Sequence, residues 1–240
     1  MRNHDLLICL AVFALAGWQL DPAGAFAQAS RGERILARCE EVYAGIEDYT
    51  VDLVATIDME RVQIPEMKAT LYFKRPDRIH VKSDNFALLP RTGLAMPVTA
   101  LIARYTAVFQ ATDSIGGKEA YRLILTARNP QSPVQSMTIW VDPSNHTIVQ
   151  TASSPYRGRS VTVKIRHTLQ EGRFWLPEHM TAVFTTTAPD TADDSNDLFA
   201  VKPQLQEFRR PPRSGSMEVR YSNYRLNRGL SDELFRTEPE

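Results

Sequence analysis

The histidines and cysteines of this 240-residue chain, the side chains most often used to ligate metals or attack, number five and two and are scattered. His80, His146, His167 and His179 stand singly, mostly at polar positions of alternating stretches, whereas a zinc site needs several ligands converging on one point. Asp193, Asp194 and Asp197 form an acidic group, but their spacing lacks the glycine and terminal glutamate of an EF-hand, and a solvated loop accounts for them. Cys39 falls on an apolar helical face, which makes it a small buried apolar residue rather than a nucleophile. There is no Gly-x-Ser-x-Gly, no phosphate-cradling glycine loop and no His-Glu-x-x-His. The chain therefore reads as a non-enzyme, with no cofactor and no metal. One stretch stands apart: LYFKRPDRIHVKS, residues 71–83, sets Lys74-Arg75-Pro76-Asp77 between two runs that alternate apolar and polar residues.

The elements around that stretch follow from periodicity. Ser30 and Glu33 have the spacing of a capping box, which predicts a helix start. Ile35, Leu36, Cys39, Val42, Tyr43 and Ile46 then recur at helical spacing, so the amphipathic segment spans 31–46. From Tyr49 the period becomes two: Tyr49, Val51, Leu53, Ala55, Ile57 and Met59 point one way, and Thr50, Asp52, Thr56, Asp58 and Glu60 the other. That is a half-buried antiparallel strand.

The same alternation returns at 67–73, at Ile79 and Val81, and at Tyr121, Leu123, Leu125 and Ala127. It continues at Met137, Ile139 and Val141, at Val161, Val163 and Ile165, at Met180, Ala182 and Phe184, and at Met217, Val219 and Tyr221. Turns are expected at Gly116-Gly117, Asp142-Pro143-Ser144-Asn145, Gly158 and Glu171-Gly172. One sheet of about nine to eleven strands must curl, because strands twist, and its apolar face becomes a concave wall. Short connections favour a curled meander over a two-sheet sandwich. The fold class is thus α+β.

Arg2 and His4 precede an apolar run from Leu6 to Leu20, and Ala25-Phe26-Ala27 follows. This is the pattern of a secretory signal peptide, so residues 1–27 are expected to be removed and 28–240 to form a single exported domain. Cys9 lies inside the apolar run and Cys39 follows Leu-Ala-Arg, so neither offers a lipidation site. Cleavage leaves 27 basic and 26 acidic residues, a balance with no field of one sign to attract nucleic acid. With one cysteine left, the domain is stable through its core and not through a disulfide.

Two segments break the pattern. FALLPRTGLAMPVTALIA, residues 86–103, is strongly apolar but interrupted by Pro90, Gly93 and Pro97. It reads as a short helix or two with loops lying over the mouth of the curled sheet, with Pro97 near a helix start. Composition leaves open whether it is a mobile lid or a fixed plug. Residues 187–213 read as an irregular insertion, within which 205–208 can add an edge strand.

An apolar concavity wider than its helices points to a hydrophobic ligand. At about 0.8 kcal/mol per methylene, a fully enclosed chain of about sixteen carbons gains on the order of 12 kcal/mol. A carrier that must let go then needs a competing closed state.

ATLYFKRPDRIHVKS, residues 69–83, resembles the strand, Lys-Arg-Pro and strand segment of the LolA family, periplasmic carriers of outer-membrane lipoproteins. The signal peptide, the N-terminal helix leading into Ile46-Glu47-Asp48-Tyr49, the long alternating sheet and Leu230-Ser231-Asp232-Glu233-Leu234-Phe235 follow in the same order. The resemblance implies an unclosed, strongly curved antiparallel sheet, a half β-barrel with helices covering its concave side, whose cavity takes acyl chains. In that family the arginine of Lys-Arg-Pro hydrogen-bonds lid backbone and holds the lid closed, a role that falls by motif match to Arg75. A guanidinium has several donors in a fixed fork, suited to lid carbonyls at an apolar rim. Residues 84–99 depart from the family, which has a Ser-Asp-Gly turn and an aromatic hairpin there, and the 187–213 insertion is extra.

The reading is a divergent relative: a monomeric periplasmic carrier that binds a lipoprotein or free lipid as cargo. It would receive that cargo from an inner-membrane donor and hand it to an outer-membrane acceptor. The cavity would be lined by Val51, Leu53, Ile57, Leu71, Phe73, Ile79 and Met137, with Leu88, Leu89, Leu94, Met96 and Leu101 from the covering segment. The alternative is a sensor of the RseB type, binding envelope lipids or misassembled proteins and controlling a signalling partner. Such sensors carry a second C-terminal domain, whereas this chain ends about five residues after Phe235, which favours the carrier. A third possibility is a structural envelope protein whose helices fill the cavity.

Overall fold

The structure, a computed structural model, describes residues 22–59, 62–63, 65–83, 97–132, 134–153, 159–186 and 214–236. Most of the expected signal peptide, Leu88, Leu89, Leu94 and Met96, the turn at Gly158 and the 187–213 insertion with its edge strand at 205–208 lie outside the described residues.

The chain opens with helix α1, Pro22–Glu41. Strands β1 (Asp48–Met59), β2 (Val62–Gln63), β3 (Met67–Lys74) and β4 (Arg78–Lys82) follow. Helix α2 (Val98–Arg104) leads into β5 (Tyr105–Ile115), β6 (Lys118–Ala127), β7 (Ser136–Val141) and β8 (Ile148–Ser153). The chain finishes with β9 (Arg159–Gln170), β10 (Phe174–Thr186), β11 (Ser214–Leu226) and a short 3-10 turn, Asp232–Phe235.

The expected helix start is corrected: α1 begins at Pro22 and runs on through Ser30, so Ser30 is not its N-cap. The capping box is only a local pattern, and a helix continues past it whenever the residues before it, here Ala-rich, also favour helix. The helical reach to Ile46 is corrected as well. The helix stops at Glu41, the chain turns through Gly45 at φ +86°, and Ile46 is buried in a different cluster from Ile35, Leu36 and Cys39. Pro97 holds the N-cap of α2, as the sequence suggests.

All strand pairs are antiparallel, in the order β4-β3-β1-β11-β10-β9-β8-β7-β6-β5, with β2 paired to β1. The two edges, β4 and β5, are consecutive in the chain. The sheet is therefore left open between β4 and β5. The sheet is not one meander in chain order but two, β1 to β4 and β5 to β11, joined where the last strand, β11, pairs with the first, β1. β5 and β8 were not anticipated. Pro177 lies within the central strand β10, where the register shifts between Pro177 and His179, a bulge that spares the missing donor.

The alternation in β1 is realised: Val51, Leu53, Ala55, Ile57 and Met59 are all buried. The apolar face divides into two halves. One cluster comprises, among the described residues, Val51, Leu53, Ala55, Ile57, Met59, Met67, Ala69, Leu71, Met180, Ala182, Met217, Val219 and Tyr221, each from a strand. The other joins Ile35, Leu36 and Cys39 of α1 and Val98 and Leu101 of α2 to the inward residues of β5, β6 and β7. A third, smaller cluster of Ile46, Phe174, Leu176 and Leu226 lies near them, and Tyr43 and Tyr49 pack against it and against its neighbours.

Candidate functional site

The KRPDR stretch, residues 74–78, forms the β3–β4 hairpin turn, with Phe73 paired to Ile79 and Lys74 to Arg78. Proline sits at the turn, where no ladder donor is needed. The three basic side chains of the hairpin reach in two directions. Arg75 turns toward the end of α1. Its guanidinium donates to the carbonyl of Tyr43 at 3.2 Å and reaches Oε1 of Glu40 at 3.5 Å, while its backbone N–H donates to the carbonyl of Glu47 at 2.9 Å. Lys74 and Arg78 turn toward the chain end. Lys74 Nζ donates to the carbonyl of Leu230 at 2.6 Å and to Asp232 at 2.5 Å, Arg78 meets the same carboxylate at 3.0 Å, and Arg78 lies over the Phe235 ring. Lys74 and Arg78 hold the Asp232 carboxyl below its ordinary range, the Lys74 hydrogen bond being the largest cause.

The placement has an electrostatic reason. Unpaired carbonyls at a helix C-terminus make that end partly negative, and a carboxylate there is unfavourable without a cation. Glu40 and Glu41 both lie in the last turn of α1. Arg38 answers Glu41 at 2.9 Å on the exposed side, and Arg75 answers Glu40 from the hairpin. The same Oε1 of Glu40 also accepts the hydroxyl of Thr99, in the first turn of α2, at 3.1 Å.

The hairpin, α1 and α2 are thus joined at one half-buried carboxylate. Of these residues the sequence singled out Arg75 alone. Glu40 carried one available signal, an acidic residue at the wrong end of a helix, while Thr99 carried none. The described partners of Arg75 are on the α1 end, not on the backbone of the 86–103 segment.

Of the expected lining residues, Val51, Leu53, Ile57 and Leu71 are buried in the all-strand cluster, and Phe73 and Ile79 pack half-buried against it. Met137 and Leu101 fall elsewhere, in the helix-covered cluster. The concave face is therefore brought together as two sets rather than one. Near the hairpin the all-strand cluster ends in rings: Tyr49 stacks on Phe73 at 4.9 Å and meets Tyr224 at 5.7 Å, across the neighbouring strands β3, β1 and β11. Burial pushes the Tyr43 hydroxyl up to about 12 and those of Tyr49, Tyr221 and Tyr224 well above their ordinary value, so all stay neutral.

Cys39 is buried at 1 % exposure and its thiol is pushed up to about 12 by desolvation, which agrees with an inert core residue. The histidines are expected singly and mostly at polar strand positions, and His167 is an exception. It is half-buried, its Nδ1 is buried with no hydrogen-bond partner among the described residues, and desolvation lowers its pKa to about 4. Among the described residues no group of three His, Cys, Asp or Glu converges on a point that suits a metal ion, and no helix is long and apolar enough to cross a membrane.

No family model matches the chain, and no curated protein matches it. Solved structures do. One described as an outer membrane lipoprotein-sorting protein domain, from Vibrio parahaemolyticus, matches at 13 % identity and a TM-score of 0.58, covering 86 % of this chain and 97 % of its own. A DUF1329 family protein from Desulfovibrio piger matches at 13 % identity and a TM-score of 0.60, covering 87 % and 97 %. A LolA superfamily protein from Nitrosomonas europaea matches at 14 % identity and a TM-score of 0.54, covering 86 % and 97 %. At this identity the likeness establishes the fold, an unclosed LolA-like antiparallel sheet with two helices.

Proposed function

We propose that the protein is a periplasmic carrier, one domain after removal of residues 1–27, that takes acyl chains of a lipoprotein or free lipid onto its concave face and delivers them toward the outer membrane. The observation that carries this reading is the division of the apolar face. Six expected lining residues gather in or against a cluster whose described buried members all come from strands, while the two helices among the described residues, α1 and α2, stand on the other half of the sheet. A flexible chain entering among these side chains would gain about 0.8 kcal/mol per buried methylene. The hairpin adds a means of control. Arg75 fastens α1 beside the concave face, so opening and closing the helical cover would run through this arginine. The reading includes no catalytic step.

The test is to purify the protein from the periplasm and analyse co-purified lipids and lipoproteins by mass spectrometry. Acylated species bound in stoichiometric amounts are expected. A protein that brings down none, and that takes up no acylated peptide when one is offered, is not a carrier.

A further inference from the structure

We infer that Glu40 is the joint through which Arg75 governs α2, and so a positioning residue for the helical cover. Arg75 and Thr99 share no hydrogen bond with each other; both end on Oε1 of Glu40, at 3.5 and 3.1 Å. Glu40 sits in the last turn of α1 and Thr99 in the first turn of α2, whose N-cap Pro97 provides no side-chain cap. One oxygen therefore serves three elements. The side chains of Arg75 and Glu40 are 33 % and 30 % exposed, so their contact is partly shielded from water and from salt.

The physical consequence is indirect control. With Arg75 in place, the Glu40 carboxylate is held against the pull of solvent and remains an acceptor for Thr99. With Arg75 removed, Glu40 is left as an unpaired anion at the C-terminal end of α1, where the helix disfavours it. It then gains by turning out to water, and Thr99 loses its partner. Packing of Val98 and Leu101 against Leu36 and Cys39 keeps α2 near α1, but the polar contact fixes where its first turn lies. The role of this joint as a latch on cargo rests on the carrier reading; the coupling of Arg75 to α2 does not.

Hydrogen exchange of the α2 amides in lipid-stripped protein tests it. Arg75→Leu and Thr99→Val are each expected to speed exchange across 98–104 about fivefold, the yield of one lost hydrogen bond. Together they should do little more than either alone. Glu40→Ala should reproduce that effect and make both further substitutions silent. Glu40→Gln keeps an acceptor for Thr99 without the charge, so there Arg75→Leu should be silent while Thr99→Val still acts.

Effects of Arg75→Leu and Thr99→Val that multiply in the presence of Glu40, or α2 exchange that ignores Glu40→Ala, would overturn the inference. Because no cargo enters this measurement, its outcome is independent of the lipid extraction: uncoupled α2 amides in a protein that carries lipid sink the joint alone.

Discussion

The carboxylate of Asp48 accepts the backbone amide of Gly229 at 2.9 Å, across 181 positions of the chain. It also accepts the amides of Arg228 at 2.8 Å and Leu230 at 3.1 Å, so three consecutive N–H groups end on one buried side chain. Asn227, at φ +52°, completes the junction: its side chain accepts from the amide of Glu47 and donates to the carbonyl of Gly45. The start of β1 and the chain leaving β11 are thereby fixed to each other, beneath the segment that Lys74 and Arg78 hold.

Asp48→Ala removes the buried acceptor that three consecutive amides share and is expected to cost about 3 kcal/mol in urea unfolding. Asp48→Asn keeps an acceptor and should lose visibly less. Equal midpoints for wild type and the alanine variant would mean that the junction contributes nothing.

Arg75→Leu removes the donor to Tyr43 and the counter-charge to Glu40. Because the pair is part-exposed, the expected loss of stability is only about 1 kcal/mol. The larger effect is on function: cargo is still bound but is transferred poorly to an acceptor membrane. Transfer at the wild-type rate would remove Arg75 from any part in release.

Gly32 stands where α1 touches β5, and a methyl group built there meets the Ala107 carbonyl oxygen at 2.5 Å and the Phe109 nitrogen at 2.6 Å. Both are backbone atoms and cannot step aside. Gly32→Ala would gain about 1 kcal/mol of helix propensity in a free helix. Here it should instead lower the thermal midpoint, and the neighbouring stack of Arg31 on Phe109, now 3.7 Å from the ring centroid, should be lost with the displaced helix.

Leu53→Ala, at the centre of the all-strand cluster, should cost roughly 2 to 5 kcal/mol, as large-to-small changes in cores do. Leu169→Ala, at a position 44 % exposed, should change stability by no more than about 0.5 kcal/mol. A Leu53 variant as stable as the Leu169 variant would show that the cluster can collapse around the missing atoms.

The pH dependence of stability should carry the mark of His167. Its folded pKa of about 4 lies below the ordinary 6.5, so between these values the unfolded chain binds the proton and the folded one does not. Stability is then fully present above about pH 6.5 and falls as the pH drops toward 4, by roughly 3 kcal/mol at most. His167→Gln should flatten that slope in urea titrations at pH 4.5 and 7, whereas an unchanged slope would assign it to other groups.

Much of the fold was legible because strand alternation is local. Val51 to Met59, Leu123 and Leu125, Met137 to Val141 and Met217 to Tyr221 all turn to the buried face that their period of two assigns. β5 and β8 escaped because they carry weak contrast: beyond Ala107, β5 alternates only half-buried with exposed residues, and Ile148–Ser153 is half-buried throughout. The Ser30 box misled for the opposite reason, a strong local signal that α1 passes straight through.

The Lys-Arg-Pro turn was visible from its own residues, and Arg75 with it. Its partners were not, since Glu40 and Tyr43 lie 35 and 32 positions away and Lys74 meets Asp232 at a separation of 158.

What the sequence by itself determined is which residues face inward and where the chain turns, because side-chain periodicity and proline or glycine geometry act over a few residues. Only the tertiary structure decided that β11 closes against β1, that the open seam lies between β4 and β5, and that one carboxylate on α1 serves both Arg75 and Thr99. Those choices depend on which distant surfaces bury each other best and which charges then face one another, and no local pattern encodes them.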